Sequence, residues 1–360
     1  METYSIPLVP GPVSVPEAVL AAYLTNYGSA DLEKDFLQLY NQTESNLQKI
    51  FGTQNKVAIQ TGEGMLALWG ALKSTIQPGD RVLSIATGVF GYGAADMARS
   101  IGADVKVYGL DYNQTVQDWD AVEKEIESFR PKMITIIHCE TPSGTLNPLE
   151  RLGELKRQHE VPLLYVDVVA SMGGTPVLTD EWSIDLALGG AQKAISAPAG
   201  TSFVAISDQA WEIIDQVNYV GYDALKPFRN AQETFYFPYT PYWHGIAALN
   251  KATSLLLEEG LQASYARHAQ VAVFCRNRLV EIGLSLFPAP DAVPSPTVTA
   301  VNVPDGISWP ELDSRFRQHG LVVGGSYGPL AGKVFRLGHM GTQADQELVE
   351  NAINVIRQVI

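Results

Sequence analysis

From about residue 56 to residue 206, short apolar runs rich in β-branched residues alternate with stretches whose apolar residues recur every three to four positions. Strands joined by crossover helices produce this rhythm, and such strands pair into a largely parallel sheet with helices on its faces. The predicted strands cover 56–60, 81–86, 104–110, 133–138, 162–167, 184–189 and 201–206. The predicted helices between them include 63–74, 94–101 and 118–129. We therefore expect an α/β fold with a mostly parallel, seven-stranded sheet.

The pattern changes after residue 241, where two long helical segments are predicted over 244–258 and 261–281. Shorter strands, a helix over 309–318 and a terminal helix follow, which is typical of a smaller α+β unit. A length of 360 residues is enough for two domains. We expect a large domain with an N-terminal arm over 1–245 and a small C-terminal domain over 246–360.

Composition excludes several classes of partner. The chain has 25 Lys and Arg against 39 Asp and Glu, a formal charge of −14, which disfavours binding to a phosphate backbone. No apolar run reaches the length that spans a bilayer, and two cysteines do not make a disulfide framework. We expect a cytoplasmic protein with no nucleic-acid partner and no membrane segment.

Two ionisable residues follow predicted strands of the sheet. Asp167 ends the run 162–167, and Lys193 comes 26 residues later, after a short strand and a turn of small residues. Ligands of an open α/β sheet bind at the carboxyl ends of its strands, so both side chains are predicted to face the ligand crevice. Each alone has an ordinary explanation, a turn or helix cap for Asp167 and a surface position for Lys193. Together they favour carbonyl chemistry at a lysine whose apolar neighbours help it to lose its proton.

The turns after two other strands add further groups. Gly62, Glu63 and Gly64 lie where a strand meets a helix, and glycines there free backbone N–H groups for an anion. The alternative is a turn without a ligand. Phe90 follows another strand, where its ring can stack on a planar heterocycle or simply join the core.

A carboxylate for a pyridine nitrogen, a lysine for an aldehyde, an anion cup and a stacking ring describe a pyridoxal-type site. The chain also resembles the class V, fold-type I aminotransferases over essentially its whole length. The motifs that carry this resemblance are PGPV at 10–13, HCETPSG at 138–144, YVDVVAS at 165–171, QK at 192–193 before APAG at 197–200, and FRLGHMG at 335–341. The resemblance implies the fold-type I architecture and a transaminase activity.

The resemblance also implies roles around the vitamin B6 ring. Lys193 would carry the covalent link to the aldehyde carbon and move the proton of the substrate α-carbon. Asp167 would keep the pyridine nitrogen protonated, so that the ring acts as an electron sink. Phe90 would stack on the ring face, and Thr141 would hydrogen-bond near the 3-oxygen.

Further implied roles concern anions. Gln192 and the turn 62–64 would form the anion cup, and Thr240 would reach in from a neighbouring subunit. Arg336 would bind the carboxylate of an amino acid or 2-oxo acid with its planar fork, with Tyr327 nearby. The family is dimeric, so a homodimer or a dimer of dimers is implied.

Glu63 departs from the commoner members of the family, which place a small or neutral residue in this cup. A carboxylate about 4 Å from a phosphate would cost roughly 6 to 8 kcal/mol at an effective dielectric constant near 20, before screening. The same Gly-Glu pair occurs in the pyridoxamine–pyruvate aminotransferase branch, whose vitamin B6 is an unphosphorylated substrate. Further similarity to that branch covers 141–145, 295–301 and 332–341, although Tyr327 stands where the branch has an arginine.

Other interpretations stay open. If Glu63 turns outward or is protonated, the cofactor is pyridoxal 5′-phosphate and the enzyme resembles the alanine– or serine–glyoxylate aminotransferases. A lyase or cysteine desulfurase needs an exposed cysteine on a mobile loop, whereas Cys139 and Cys275 fall in a predicted strand and helix. A catalytically silent B6-binding protein would lack the lysine or the arginine. The histidines show no metal-ligand spacing, and we expect no metal.

Overall fold

The computed structural model describes residues 4–360, and the elements below lie within that range. The strands are β1 Ile6–Leu8, β2 Lys56–Thr61, β3 Arg81–Ala86, β4 Asp104–Gly109, β5 Met133–Ile137, β6 Cys139–Glu140, β7 Thr145–Leu146, β8 Leu163–Asp167, β9 Leu186–Gly190, β10 Thr201–Ile206, β11 Thr299–Asn302, β12 Leu321–Gly325 and β13 Val334–Leu337. The helices are α1 Glu17–Tyr23, α2 Lys34–Phe51, α3 Gly64–Thr75, α4 Val89–Ile101, α5 Trp119–Phe129, α6 Glu150–Gln158, α7 Asp208–Val217, α8 Ala231–Thr234, α9 Trp243–Glu259, α10 Leu261–Glu281, α11 Trp309–Gln318 and α12 Gln346–Val359.

The large sheet has seven strands in the order β2-β10-β9-β8-β5-β3-β4. Strands β9, β8, β5, β3 and β4 pair in parallel, and β10 is antiparallel to both of its neighbours. Every residue of β5, β8, β9 and β10 is buried, because helices cover both faces of the sheet. The predicted α/β class and the seven-stranded, mostly parallel sheet are confirmed.

A second sheet, in the order β1-β12-β13-β11, belongs to the smaller α+β unit. Its first strand comes from the N-terminus of the chain, since β1 pairs in parallel with β12. The buried side chains of α9 join the large core, whereas those of α10 join the small one, so the two cores separate near Gly260. The division at 245/246 stays a prediction, and it falls within α9.

One predicted helix begins earlier than its periodicity indicates. The segment predicted over 94–101 starts at Val89, and Phe90 therefore lies in the first turn of α4 rather than in a loop. Gly91 in this turn and Gly93 directly after it weaken the local helix signal. A residue distant in sequence stabilises the turn. The buried carboxylate of Glu140 accepts the amide hydrogens of Phe90 and Gly91 at 3.2 and 2.7 Å.

Candidate active site

A cavity of about 300 Å³ opens at the edge of the large sheet where its parallel strands have their carboxyl ends. Eight of the predicted site residues line it: Glu63, Phe90, Thr141, Asp167, Gln192, Lys193, Tyr327 and Arg336. Most are close to strand ends of the large sheet, whereas Tyr327 and Arg336 come from the small one. Parallel strands end at a common edge, which brings groups far apart in sequence into one crevice.

Lys193 and Asp167 supply the titratable centre of the cavity. The pKa of Lys193 is lowered to about 8, mainly by burial and then by Arg336, although Glu63, Cys139 and Asp167 act in the opposite direction. The pKa of Asp167 is raised to about 7, mainly by burial and also by Glu63, although the amide of Val169 and the charge of Lys193 act in the opposite direction. A neutral, nucleophilic lysine amine is therefore accessible near neutral pH.

The carboxylate of Glu63 caps α3. It accepts the amide hydrogen of Met65 at 2.9 Å, and the side-chain amide of Gln192 donates to its other oxygen. Gly62 and Gly64 are not among the residues that line the cavity. Gly62 has φ of +142°, and a Cβ on Gly64 would lie 3.1 Å from the lining residue Val169. The predicted anion cup therefore contains a carboxylate of the chain itself.

Phe90 and Thr141 line the same cavity as Asp167. The backbone of Phe90 is held by Glu140, whose pKa burial raises to about 8 against the opposing effect of the two amides that it accepts. A Cβ on Gly88 would lie 2.6 Å from the carboxyl carbon of Glu140, so this approach requires a glycine. Glu140 lies in the motif at 138–144, but no sequence periodicity connects it with α4.

Arg336 reaches the cavity from β13 and is almost fully buried. Its Nε donates to the carbonyl of Gly325 at 2.9 Å, and the guanidinium carbon lies 4.6 Å from the ring centroid of Tyr327. Burial lowers the pKa of this arginine. One edge of the guanidinium is thus anchored on the backbone, and the group lies where it can meet a carboxylate in the cavity.

Several lining residues have no predicted role. They are Gly11, Pro12, Met65, Leu68, Cys139, Val169 and Ala170. Gly11 and Pro12 belong to the motif at 10–13, which is the sequence signal that could have indicated them.

Thr240 lies outside this cavity, in a surface groove that also contains Tyr222 and Tyr239. Its predicted role concerns a neighbouring subunit and stays a prediction, as do the individual roles of the other site residues.

The sequence profile of the aminotransferase class-V family matches residues 10–332. This chain belongs to the class-V aminotransferases. It is 35% identical to the alanine–glyoxylate aminotransferase of Oryctolagus cuniculus, over 98% of this chain and 92% of the relative. It is 33% identical to the pyridoxamine–pyruvate transaminase of Mesorhizobium japonicum, over 94% of this chain and 87% of the relative.

The crystal structure of a pyridoxamine–pyruvate aminotransferase from Mesorhizobium loti superimposes with a TM-score of 0.95. That match covers 99% of this chain and 92% of the other at 31% identity. The class-V aminotransferase described here is therefore a transaminase of fold type I, as the sequence predicted.

Class-V aminotransferases depend in general on pyridoxal phosphate, and the residues of this chain fit a vitamin B6 ring. Lys193 offers an amine to an aldehyde, and Asp167 is a buried carboxylate directed at the cavity. The side-chain oxygen of Gln192 is buried and finds no hydrogen-bond donor among residues 4–360. When bound, such a ring takes up the electron pair released at the substrate α-carbon. Lys193, Asp167, Phe90 and Arg336 all line the cavity, and they are the residues that would hold the ring and the substrate carboxylate.

The two cysteines do not offer a reactive thiolate. Cys139 lies in β6 at the cavity wall and Cys275 lies in α10, both buried and unpaired. Burial raises their pKa values to about 11 and about 12. A desulfurase needs the opposite, a thiol that ionises readily on an exposed loop.

The structure also bears on membrane insertion and on metal binding. Within residues 4–360, no helix combines the length and the apolar character needed to cross a membrane. The cytoplasmic location stays a prediction. The prediction of no metal also stays open, because Glu123, Glu127 and His159 bring possible ligand atoms within 4.8 Å of one another at the surface.

Proposed function

We propose that this aminotransferase transfers the amino group of free pyridoxamine to a small 2-oxo acid such as pyruvate. The vitamer then acts as an unphosphorylated substrate. The observation that carries this proposal is the position of Glu63, whose carboxylate occupies the amide donors of Met65 and Gln192. These are the donors that the N-terminus of α3 and the neighbouring loop would offer to a phosphate.

Charge makes this arrangement selective. A phosphate brought to the same donors would displace the carboxylate or lie close to it, and the two negative charges repel each other, although solvent screens this repulsion because Glu63 is exposed. A hydroxymethyl group carries no charge and can donate a hydrogen bond to Glu63. The relative named as pyridoxamine–pyruvate transaminase supports the same choice.

The remaining residues have matching roles in the proposal. Arg336 binds the carboxylate of pyruvate or alanine, and Tyr327 packs on the guanidinium. The Lys193 amine moves the proton from C4′ of the vitamer to the α-carbon of the acid, and it binds the aldehyde form of the vitamer that the transfer of the amino group leaves. Asp167 pairs with the ring nitrogen, and Phe90 excludes water from one ring face.

A second candidate is a pyridoxal phosphate-dependent alanine– or serine–glyoxylate aminotransferase. Glu63 is exposed to solvent, so its side chain can leave the N-terminus of α3 at modest cost and free the Met65 amide for a phosphate. The similarity to an alanine–glyoxylate aminotransferase supports this candidate.

One preparation distinguishes the two candidates in two assays. The first supplies free pyridoxamine and pyruvate, and the second supplies alanine or serine with glyoxylate and pyridoxal phosphate. We expect the first reaction to dominate. Glu63→Gly should strengthen binding of pyridoxal phosphate at least tenfold. Glu63→Gln removes the same charge but retains a hydrogen-bond acceptor, so it tests the effect of the charge alone. Pyridoxal phosphate that survives dialysis, together with no reaction of free pyridoxamine, would establish the second candidate instead.

The enzyme is also proposed to act as a homodimer or a dimer of dimers. Val220, Tyr222 and Tyr236 are apolar side chains that are at least 70% exposed. They line a surface groove that meets the groove containing Thr240 through Tyr222 and Pro238. An exposed apolar surface of this kind is typical of a subunit interface.

Light scattering tests the assembly. We expect a mass of at least twice the 39.2 kDa chain for the wild type. Val220→Asp with Tyr236→Asp should shift the mass toward the monomer, and Val280→Asp, on the exposed face of α10, should not. A monomeric wild type would rule the proposal out.

A further inference from the structure

The segment at residues 8–14, here called the N-terminal strap, connects the small sheet with the loop that carries Lys193. At one end the amide of Gly338, just after β13, donates to the carbonyl of Leu8 at 2.7 Å. At the other end the amide of Val13 donates to the carbonyl of Gln192 at 3.1 Å. The strap therefore joins the strand of Arg336 to the residue that precedes Lys193.

The middle of the strap is in direct contact with the Lys193 side chain. Nζ of Lys193 donates to the carbonyl of Pro10. A Cβ on Gly11 would lie 2.5 Å from Cδ and 2.6 Å from Nζ of the lysine, and Gly11 has φ of +89°. Only a glycine leaves room for the lysine at this point.

The opposite side of Pro10 packs against two glycines of the small sheet. A Cβ on Gly324 would lie 2.7 Å from Cδ of Pro10 and 3.3 Å from Nη2 of Arg336. A Cβ on Gly338 would overlap the backbone of Val9 and Pro10. Pro10 therefore lies between Lys193 and the part of the small sheet that carries Arg336.

Gln343 fixes the strap on both sides of this contact. Its buried side chain donates to the carbonyl of Val9 at 2.8 Å and accepts the amide hydrogen of Ser14 at 3.2 Å. Gln343 is not among the residues that line the cavity. Apart from one further hydrogen bond, which its amide donates to the carbonyl of Gly338 after β13, the side-chain hydrogen bonds of Gln343 are with the strap.

We propose that the N-terminal strap positions the catalytic lysine: the Pro10 carbonyl holds the Lys193 amine, and Gln343 is a positioning residue that fixes this carbonyl. The inference rests on Lys193 as the residue that binds the aldehyde, but not on which vitamer the enzyme uses. Because the strap also contacts the strand of Arg336, it links carboxylate binding in the small domain to the orientation of the amine.

Trapping of free pyridoxal tests the proposal without measuring turnover. Purified protein is mixed with saturating pyridoxal and cyanoborohydride, and the mass gain of the Lys193 peptide is followed over time. We expect Gly11→Ala to slow trapping at least tenfold and Gln343→Met to slow it several-fold. Gly283→Ala is the matched control, since Gly283 has the same φ of +89° and a Cβ added there would meet no heavy atom within 4 Å. Asn46→Leu controls for the loss of another buried amide, which donates to Thr253.

The pH profile of trapping separates positioning from a general loss of structure. For the wild type we expect half-maximal trapping near pH 8, because the pKa of Lys193 is lowered to about 8. In Gln343→Met we expect this midpoint to move upward, because a loosened strap admits water to the amine. The two controls should keep the wild-type rate and midpoint.

Wild-type trapping rates and midpoints in folded Gly11→Ala and Gln343→Met would overturn the proposal. If Gly11→Ala does not fold, Gln343→Met alone decides. Repeating the experiment with pyridoxal phosphate distinguishes the two proposals. The strap predicts the same relative slowing with either aldehyde, whereas the proposed function predicts that the wild type prefers the unphosphorylated one.

Discussion

The guanidinium carbon of Arg336 lies 4.6 Å from the ring centroid of Tyr327, and the guanidinium also donates to the Gly325 carbonyl. A ring on one side and a backbone acceptor on one edge leave few orientations for the planar group. The chain thereby prepares the arginine for a carboxylate before any substrate binds, which lowers the entropy cost of binding.

Replacement of this arginine tests the carboxylate site. Arg336→Lys keeps the charge but loses the planar fork, worth about 1.5 to 3 kcal/mol in a charge-assisted pair. We expect the KM for pyruvate to rise roughly 10- to 100-fold, while trapping of pyridoxal at Lys193 persists. Arg276→Lys, a partly buried arginine that donates to the Ser295 carbonyl outside the cavity, is the control. An unchanged KM in Arg336→Lys would place the carboxylate elsewhere.

The lysine itself provides a second prediction. Lys193→Ala should abolish both the visible absorption band formed with pyridoxal and turnover, because no other amine lines the cavity among the described residues. The wild-type band should form with half-maximal rate near pH 8, since only the neutral amine attacks and burial lowers its pKa to about 8. Full activity of the alanine variant, or a midpoint near 10.5, would contradict the assignment.

A buried ion pair lies at the amino-terminal ends of β8 and β9, at the opposite edge of the sheet from the cavity. Lys156 lies 3.2 Å from Asp185, which also accepts the amide of Leu164 in β8 and the hydroxyl of Ser207 after β10. Asp185 directly precedes β9, so this carboxylate connects three adjacent strands, two of which lead to Asp167 and Lys193.

Removal of the buried lysine should therefore be costly. Lys156→Met leaves the Asp185 carboxylate without its cation, and we expect a loss of about 3 to 5 kcal/mol in the free energy of unfolding, measured by urea titration. Arg99→Met removes the surface pair with Asp96 and should cost less than about 1 kcal/mol. Equal effects of the two substitutions would contradict this account.

The pH dependence of the free energy of unfolding tests whether His138 is buried in its neutral form. Burial lowers the pKa of His138 to about 3, and its Nδ1 lies 2.9 Å from the Ser171 hydroxyl. The unfolded histidine titrates near 6.5, so between about pH 6.5 and 3 the unfolded state binds the extra proton and stability falls with falling pH. One such histidine lowers the free energy of unfolding by about 2 kcal/mol between about pH 7.5 and 5.

His138→Asn should reduce this acid-induced loss by about the same amount, whatever its effect at neutral pH. Urea titrations of the wild type and the variant at about pH 7.5, 6 and 5 measure the difference. Parallel pH profiles of the two proteins would mean that His138 is not the titrating group.

Much of the fold was accessible from local sequence patterns. Strands buried on both faces leave continuous apolar runs such as 162–167, and the alternation of these runs with helical periods identified the parallel sheet. The same geometry placed Asp167 and Lys193 at one edge, because the ends of parallel strands meet there. The start of α4 was missed, because its stabilising carboxylate, Glu140, lies 50 residues from Phe90.

Local patterns along the chain were enough to predict the succession of strands and helices, the chemical groups at the strand ends and the family. The contact of Glu63 with Gln192, the pairing of β1 with the small sheet and the contact of Lys193 with Pro10 became visible only in the folded chain. Periodicity reports how each segment divides between core and solvent, which is a local property. Contacts between residues more than a hundred positions apart depend on how the segments pack together, and short-range sequence patterns do not record that packing.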